Sequence, residues 1–294
     1  MINKYLIPPG FRDSLNFDSY VEHQYKNIII DYFKSNGFTL VKTPLIEYSQ
    51  NISENSFALR TSGKNERISV RNDITPQIKR IASSRFINKK RPLKLCYYGE
   101  VVRKKGTMLR PERQFQQVGA EIIGTEDYKA DVEIINLAYE TLKKIGIKKI
   151  VIELSAPFII NSILKNITNK NSKNILKKYI KLKDLKNSLK LLTNKKQAFE
   201  LKSLYQCSGQ IKSKKKKIIE ISNTLDFKED IKKLINIVEM IKISKNDSIN
   251  IDLFELEDQN YYQGVKFTFF AKNVRGEIAK GGRYLVSDNE TAIG

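Results

Sequence analysis

Tryptophan is absent from the 294 residues, and histidine occurs once, as His23 in a stretch with helical periodicity. A single imidazole excludes histidine-based acid/base or metal chemistry. The two cysteines, Cys96 and Cys207, lie far apart in sequence with no metal-ligand spacing, so reduced thiols in a cytoplasmic protein are the expectation. No apolar run approaches the roughly 18 residues needed to cross a bilayer. Met1 to Gly10 lacks the basic-then-apolar pattern of a secretion signal, so no membrane association is expected. Arginine is scarce as well: it supplies 12 of the 53 basic residues, ten of them at or before Arg113 and the others Arg275 and Arg283.

Lysine, by contrast, is abundant, and the formal net charge is +21. Such a charge ordinarily suggests nucleic acid, but its distribution points elsewhere. Lys165 to Lys217 contains 17 lysines against Asp184 and Glu200, with no arginine. Nucleic-acid sites draw on arginine for bidentate and stacking contacts, so this stretch reads as a solvated lysine surface and nucleic acid is not an expected partner. Where lysine is the default, a surviving arginine marks a place that needs a planar fork. The 40% hydrophobic content suffices for a packed core, in one domain with an insertion or in two modest domains.

Along the chain, Tyr20, Val21, Tyr25, Ile28, Ile29, Tyr32 and Phe33 recur at helical spacing between Asp18, a candidate N-cap, and Gly37. Phe38 to Tyr48 reads as a strand interrupted by Pro44. Arg67 to Asn72 reads as a strand that runs into Asp73 and a helix reaching Arg85, with Thr75 as N-cap and Pro76 in the first turn. Thr125 to Lys144 is a helix with acids early, lysines late and Gly146 as terminator. Lys149 to Leu154 is a buried strand. Short amphipathic helices fill about 156 to 245, and strands resume at Asn250 to Leu256, at Val265 to Ala271 and from Val274 onward.

Residues 96 to 121 carry most of the functional information. An apolar, aromatic run ends in Arg103, a basic stretch with Gly106 and Pro111 follows, and a second run alternates through Phe115, Gln117, Gly119 and Glu121, which is a hairpin pattern. Period-2 geometry puts Gln117 and Glu121 on one face. Gly119 between them is expected to leave room for a small ligand against the strand. An amide and a carboxylate flanking a gap suit an ammonium or another donor, but on these residues alone a solvated polar strand face is the commoner explanation.

The hairpin resembles motif 2 of the class II aminoacyl-tRNA synthetases, and of histidyl-tRNA synthetase and its non-catalytic relatives in particular. Arg103 matches the arginine before the loop, and Gln114 to Glu121 match the strand pattern Gln-Phe-x-Gln-x-Gly-x-Glu. The helix and Pro-containing strand at 18–48 resemble motif 1, the family's dimer interface. ArgAsnAspIleThrPro at 71–76 matches the segment that holds the α-ammonium of histidine, while Tyr261-Tyr262 and Gly281 to Tyr284 resemble two histidine-specific signatures. The resemblance implies an α+β fold, a class II synthetase-like antiparallel sheet flanked by helices. Its core would be 1–154 and 246–294, with 155–245 a lysine-rich helical insertion. It also implies a pocket for free histidine formed by Asp73, Thr75, Arg103, Gln117, Glu121, Tyr261, Tyr262 and Tyr284, with no cofactor or metal, and a homodimer.

The departures from the family pattern concern activation chemistry. Joining a carboxylate to the α-phosphate of ATP needs preorganised cations. Lys105 and Pro111 stand where the synthetase has a glutamate and a second arginine in the motif 2 loop. Glu257, Asp258, Gln259 and Asn260 stand where it has Arg-Gly-Leu-Asp, so a carboxylate replaces an arginine. Motif 3 would only begin at Gly294, which leaves its arginine and an anticodon-binding domain outside this sequence. These features are similar to the regulatory subunits of ATP phosphoribosyltransferase, non-catalytic members of the family. That likeness implies no catalytic residues, a short-form catalytic subunit as partner in a hetero-oligomer for the first step of histidine biosynthesis, and possible feedback sensing of histidine. A catalytic-core fragment of histidyl-tRNA synthetase is the alternative.

Overall fold

The computed structural model describes residues 5–48, 55–59, 68–223, 227–257 and 261–294. Packing divides the chain into two compact units, Met1–Gly124 and Thr125–Gly294. Among the described residues no helix is long and apolar enough to cross a membrane.

The first unit contains α1 (Asn16–Ser35), β1 (Thr39–Val41), β2 (Ile46–Tyr48), β3 (Phe57–Leu59), β4 (Ile68–Val70), α2 (Thr75–Ser83), β5 (Leu93–Val102) and β6 (Gln114–Ile123). β5 and β6 form the expected antiparallel hairpin over ten residue pairs, with β1 parallel to β5. The run at 38–48 splits at Pro44, which has no N–H to give to a ladder. Its first half joins the hairpin's sheet, and its second half pairs with β4 in the small antiparallel sheet β2-β4-β3. Ile30, Phe33, Phe38, Ile74, Ile78, Leu95 and Ile122 are buried here.

Two helix starts differ from expectation. α1 begins at Asn16 with Leu15 at the cap position, which places Asp18 in the first turn, where its charge still complements the helix dipole. α2 has Thr75 inside the helix. The residue that caps its N–H is Asp73, whose Oδ1 accepts from the Thr75 amide at 2.9 Å. The expected strand from Arg67 is described only from Ile68, Arg67 lying outside the described residues.

The second unit contains α3 (Tyr128–Lys144), β7 (Ile150–Ser155), α4 (Pro157–Lys165), α5 (Lys170–Lys181), α6 (Leu185–Lys190), α7 (Lys195–Cys207), β8 (Gly209–Gln210), α8 (Ile211–Ser222), α9 (Lys228–Met240), β9 (Ser248–Asp252), β10 (Tyr262–Ala271), β11 (Ala279–Ser287) and β12 (Glu290–Ile293). Its strands lie in the order β12-β11-β10-β7-β9-β8. The ladders are antiparallel except β7 with β9. Asp127 caps α3 with a side-chain oxygen, and Asn169, Asp184 and Asn194 do the same for α5, α6 and α7, new starts that break the lysine-rich stretch into short helices instead of one long one. The strand expected to run to Leu256 stops at Asp252, whose Oδ1 accepts from the Phe254 amide at 3.0 Å and turns the chain. The segment from Val274 is a turn up to the start of β11.

Asp247 ties three parts of this unit together. Its carboxylate, with no side-chain exposure, accepts from the Tyr139 hydroxyl of α3 at 2.6 Å, the Ile150 amide of β7 at 2.7 Å and the Lys143 ammonium at 3.4 Å. Burial pushes this carboxyl up, but those donors outweigh it and hold it below the usual carboxylate value.

Candidate functional site

Four of the eight candidate residues meet in the first unit, where the end of β4 and the start of α2 face β6. Gln117 bridges: its Nε2 donates to Asp73 Oδ1 at 3.0 Å, and its Oε1 accepts from the Ile74 amide at 3.0 Å. Thr75 Oγ1 donates to Glu121 Oε1 at 3.3 Å. Glu121 is 2% exposed. The space over Gly119 is not open, which corrects the sequence reading. Tyr97 is the direct partner of Gly119 in the β5–β6 ladder, and a Cβ at 119 would overlap its phenol. That hydroxyl lies 3.1 Å from Thr75 Oγ1 and donates to Glu121 Oε1 at 3.3 Å. Burial first, then the negative charges of Glu121 and Asp73, push the Tyr97 phenol well above its ordinary pKa, so it stays protonated as a donor. The glycine therefore admits a ring of the protein itself.

Arg103 is not part of this bonded cluster. Its backbone N–H donates to Arg113 O at 2.7 Å, closing the hairpin end, and its guanidinium lies 4.8 Å from the Phe115 ring centroid. The arginine that holds the unit together is Arg71. Buried at 5% exposure, it donates to the carbonyls of Glu100 at 2.7 Å and Thr43 at 3.0 Å, to the Thr43 hydroxyl at 2.7 Å and to Gln77 Oε1 at 3.3 Å. Gly99 on β5 leaves the room that its guanidinium fills.

In the second unit the three candidate tyrosines form one cluster. Tyr261 stacks on Tyr284 with centroids 5.5 Å apart and 11° between planes, and meets Tyr262 edge-on at 5.0 Å. Tyr262 and Tyr284 are ladder partners on β10 and β11, and the Tyr262 ring lies over Gly282. Beside them Lys266, 8% exposed, donates to Glu255 at 2.5 Å and to Glu257. Burial opposes its charge, yet the two carboxylates outweigh burial and push its pKa up to about 12. The carboxylate at 257 is thus matched by a lysine whose own ammonium is taken up twice. Asp258, Gln259 and Asn260 lie outside the described residues.

Arg283, from the Gly281 to Tyr284 signature, makes a bidentate pair with Asp131 at 3.0 and 2.9 Å and donates to Thr125 O at 2.5 Å. The Arg283, Lys266, Tyr97 and Arg71 roles were missed in the sequence. The rule that a surviving arginine marks a planar fork covered Arg71 and Arg283 without naming their partners.

Residues 10–294 match the family profile of histidyl-tRNA synthetase. The chain belongs to the histidyl-tRNA synthetase family. A relative in Paramagnetospirillum magneticum, named ATP phosphoribosyltransferase regulatory subunit, is 29% identical over 302 residues, covering 99% of this chain and 79% of that protein. A Rhodospirillum centenum protein of the same name is 30% identical, covering 98% of this chain and 77% of its own length. Among solved structures, an ATP phosphoribosyltransferase regulatory subunit/histidyl-tRNA synthetase from Bacillus halodurans C superposes with a TM-score of 0.83 at 22% identity, covering 99% of this chain and 81% of that one. A chain of the ATP phosphoribosyl transferase (HisG:HisZ) complex from Thermotoga maritima superposes at 0.71 with 18% identity, covering 93% and 96%. The family's class II α+β fold is therefore the fold of this chain.

Proposed function

We infer that this chain is the regulatory subunit of ATP phosphoribosyltransferase, acting in the first step of histidine biosynthesis, with phosphoribosyl transfer residing in a separate short catalytic chain. The relatives' names over nearly the whole chain support this. The observation that carries the non-catalytic part is Glu257. Where the family resemblance expects an arginine for activation, this chain holds a carboxylate already matched by Lys266. Losing one preorganised donor costs about 100- to 1,000-fold in rate, and a reversed charge costs more. The purified chain should show no histidine-dependent exchange of pyrophosphate into ATP, and adding it to the short catalytic subunit should raise that subunit's rate. Exchange above a heat-killed control would favour a synthetase core fragment, and an unchanged rate on mixing would remove the proposed partner.

We further propose that the cluster of Asp73, Thr75, Gln117 and Glu121 binds free histidine through its ammonium and imidazole N–H groups. Tyr261, Tyr262 and Tyr284 belong to the proposal through the family signatures. Two carboxylates and an amide oxygen in a half-buried setting favour a donor-rich, cationic ligand. A coupling free energy between this site and the partner's active centre would let histidine report on its own synthesis.

A further inference from the structure

A cavity of the second unit, about 580 Å³, lies away from every residue discussed above as a histidine ligand. It is walled by β9 and Glu153 of β7 on one side and by the end of α7, Gly209 and α8 on the other. A volume of this size is typical of small-molecule sites. Its charges are unevenly committed. Asp252 is spent internally: its carboxylate takes the Lys183 ammonium, the Ser208 hydroxyl at 3.2 Å and the Phe254 amide at 3.0 Å. Lys214 donates to the Gln206 carbonyl at 3.0 Å, which leaves two of its three N–H donors. Lys217, one turn further along the same helix face, makes no hydrogen bond among the described residues, although it is half-buried. Opposite, Glu153 and its ladder partner Asn250 offer acceptors and an amide. Tyr205, 39% exposed and held edge-on against Phe254 at 5.2 Å, adds an aromatic wall.

Two ammonium groups on one helix face favour a dianion, and a carboxylate across the cavity favours hydroxyl donors at the ligand's other end. We propose that this cavity binds a phosphomonoester with a hydroxyl-bearing body, a sugar phosphate or a nucleotide, its phosphate on Lys214 and Lys217 and its hydroxyls toward Glu153 and Asn250. This site is independent of the histidine cluster in the first unit.

Calorimetric titration of the full chain with ribose 5-phosphate, 5′-AMP, ribose and inorganic phosphate tests it. One-to-one binding of ribose 5-phosphate or 5′-AMP, tighter than inorganic phosphate and with none for ribose, is expected. Tighter binding of 5′-AMP that is lost in Tyr205→Ala assigns a nucleotide, whereas equal affinity for the two assigns the sugar phosphate. Lys217→Gln, which breaks no bond of the fold, should weaken binding about 10-fold, as befits a charge-assisted contact. The pair Lys212→Gln and Lys216→Gln, exposed on the same helix and outside the cavity, makes a larger change in charge and should alter affinity less than about 3-fold because exposed charges are screened. Equal losses in both variants, binding of several phosphates per chain, or a preference for single-stranded RNA over every small phosphate would overturn the proposal in favour of a diffuse cationic surface.

Discussion

At the scale of single residues, the histidine cluster rests on Glu121, the most buried carboxylate in it. Glu121→Gln exchanges one oxygen for an amide and should weaken histidine binding by about 10- to 100-fold, since a buried charge-assisted hydrogen bond is worth roughly 1.5 to 3 kcal/mol. Calorimetric titration of the wild type, Glu121→Gln and Asp73→Asn reads this directly. Unchanged affinity in both variants, with wild-type melting, would falsify the proposed pocket. Gln117 and Glu121 were legible because alternation in a strand fixes which side chains share a face. Tyr97 was not, because its position over Gly119 depends on the ladder register that pairs the two, which no local pattern encodes. Asp73 was legible as a polar residue at a strand end, but its second task, accepting the Thr75 amide, belonged in the sequence reading to Thr75 itself.

Among the elements, the junction of α3, β7 and the loop after α9 depends on Asp247. Asp247→Ala would take the acceptor from the buried Ile150 amide, while the Tyr139 hydroxyl keeps Ser244 as its partner, and should cost about 1 to 3 kcal/mol, lowering the melting temperature by roughly 2 to 12 °C. The pH dependence has a definite sign. The folded-state pKa is held below the unfolded value, so the unfolded chain binds the proton more tightly. The stabilisation is therefore complete above about pH 4 to 5 and is lost as the pH falls through the folded value. Melting curves of wild type and variant should be separated by a constant gap at pH 6 to 8 that begins to narrow only as the pH falls below about 4. Periodicity and capping chemistry exposed most helices and the long hairpin. They were silent on Asp247, whose partners Ile150 and Tyr139 stand 97 and 108 positions away.

For the molecule as a whole, the first unit leaves apolar surface uncovered. Tyr20, Tyr25 and Ile28 on α1 are 60%, 43% and 39% exposed, and Ile46 and Tyr48 on β2 are 51% and 76% exposed. This is the helix that the sequence likens to the family's motif 1, and only Ile30 and Phe33 of α1 are buried. The family's motif 1 interface makes a second copy the proposed cover, and a standard interface of this kind buries about 800 Å² per partner. Light scattering at micromolar concentration should return twice the chain mass of 34.0 kDa, whereas a folded monomer would contradict it. The pairing of Lys266 with Glu255 and Glu257 also limits what position 257 can hold. Placing an arginine at 257 by one substitution would set two cations against the single carboxylate of Glu255, in a place where Lys266 is already buried. Glu257→Arg alone should therefore lower the melting temperature, and adding Lys266→Met should recover part of the loss, because the two side chains form one charge-balanced unit.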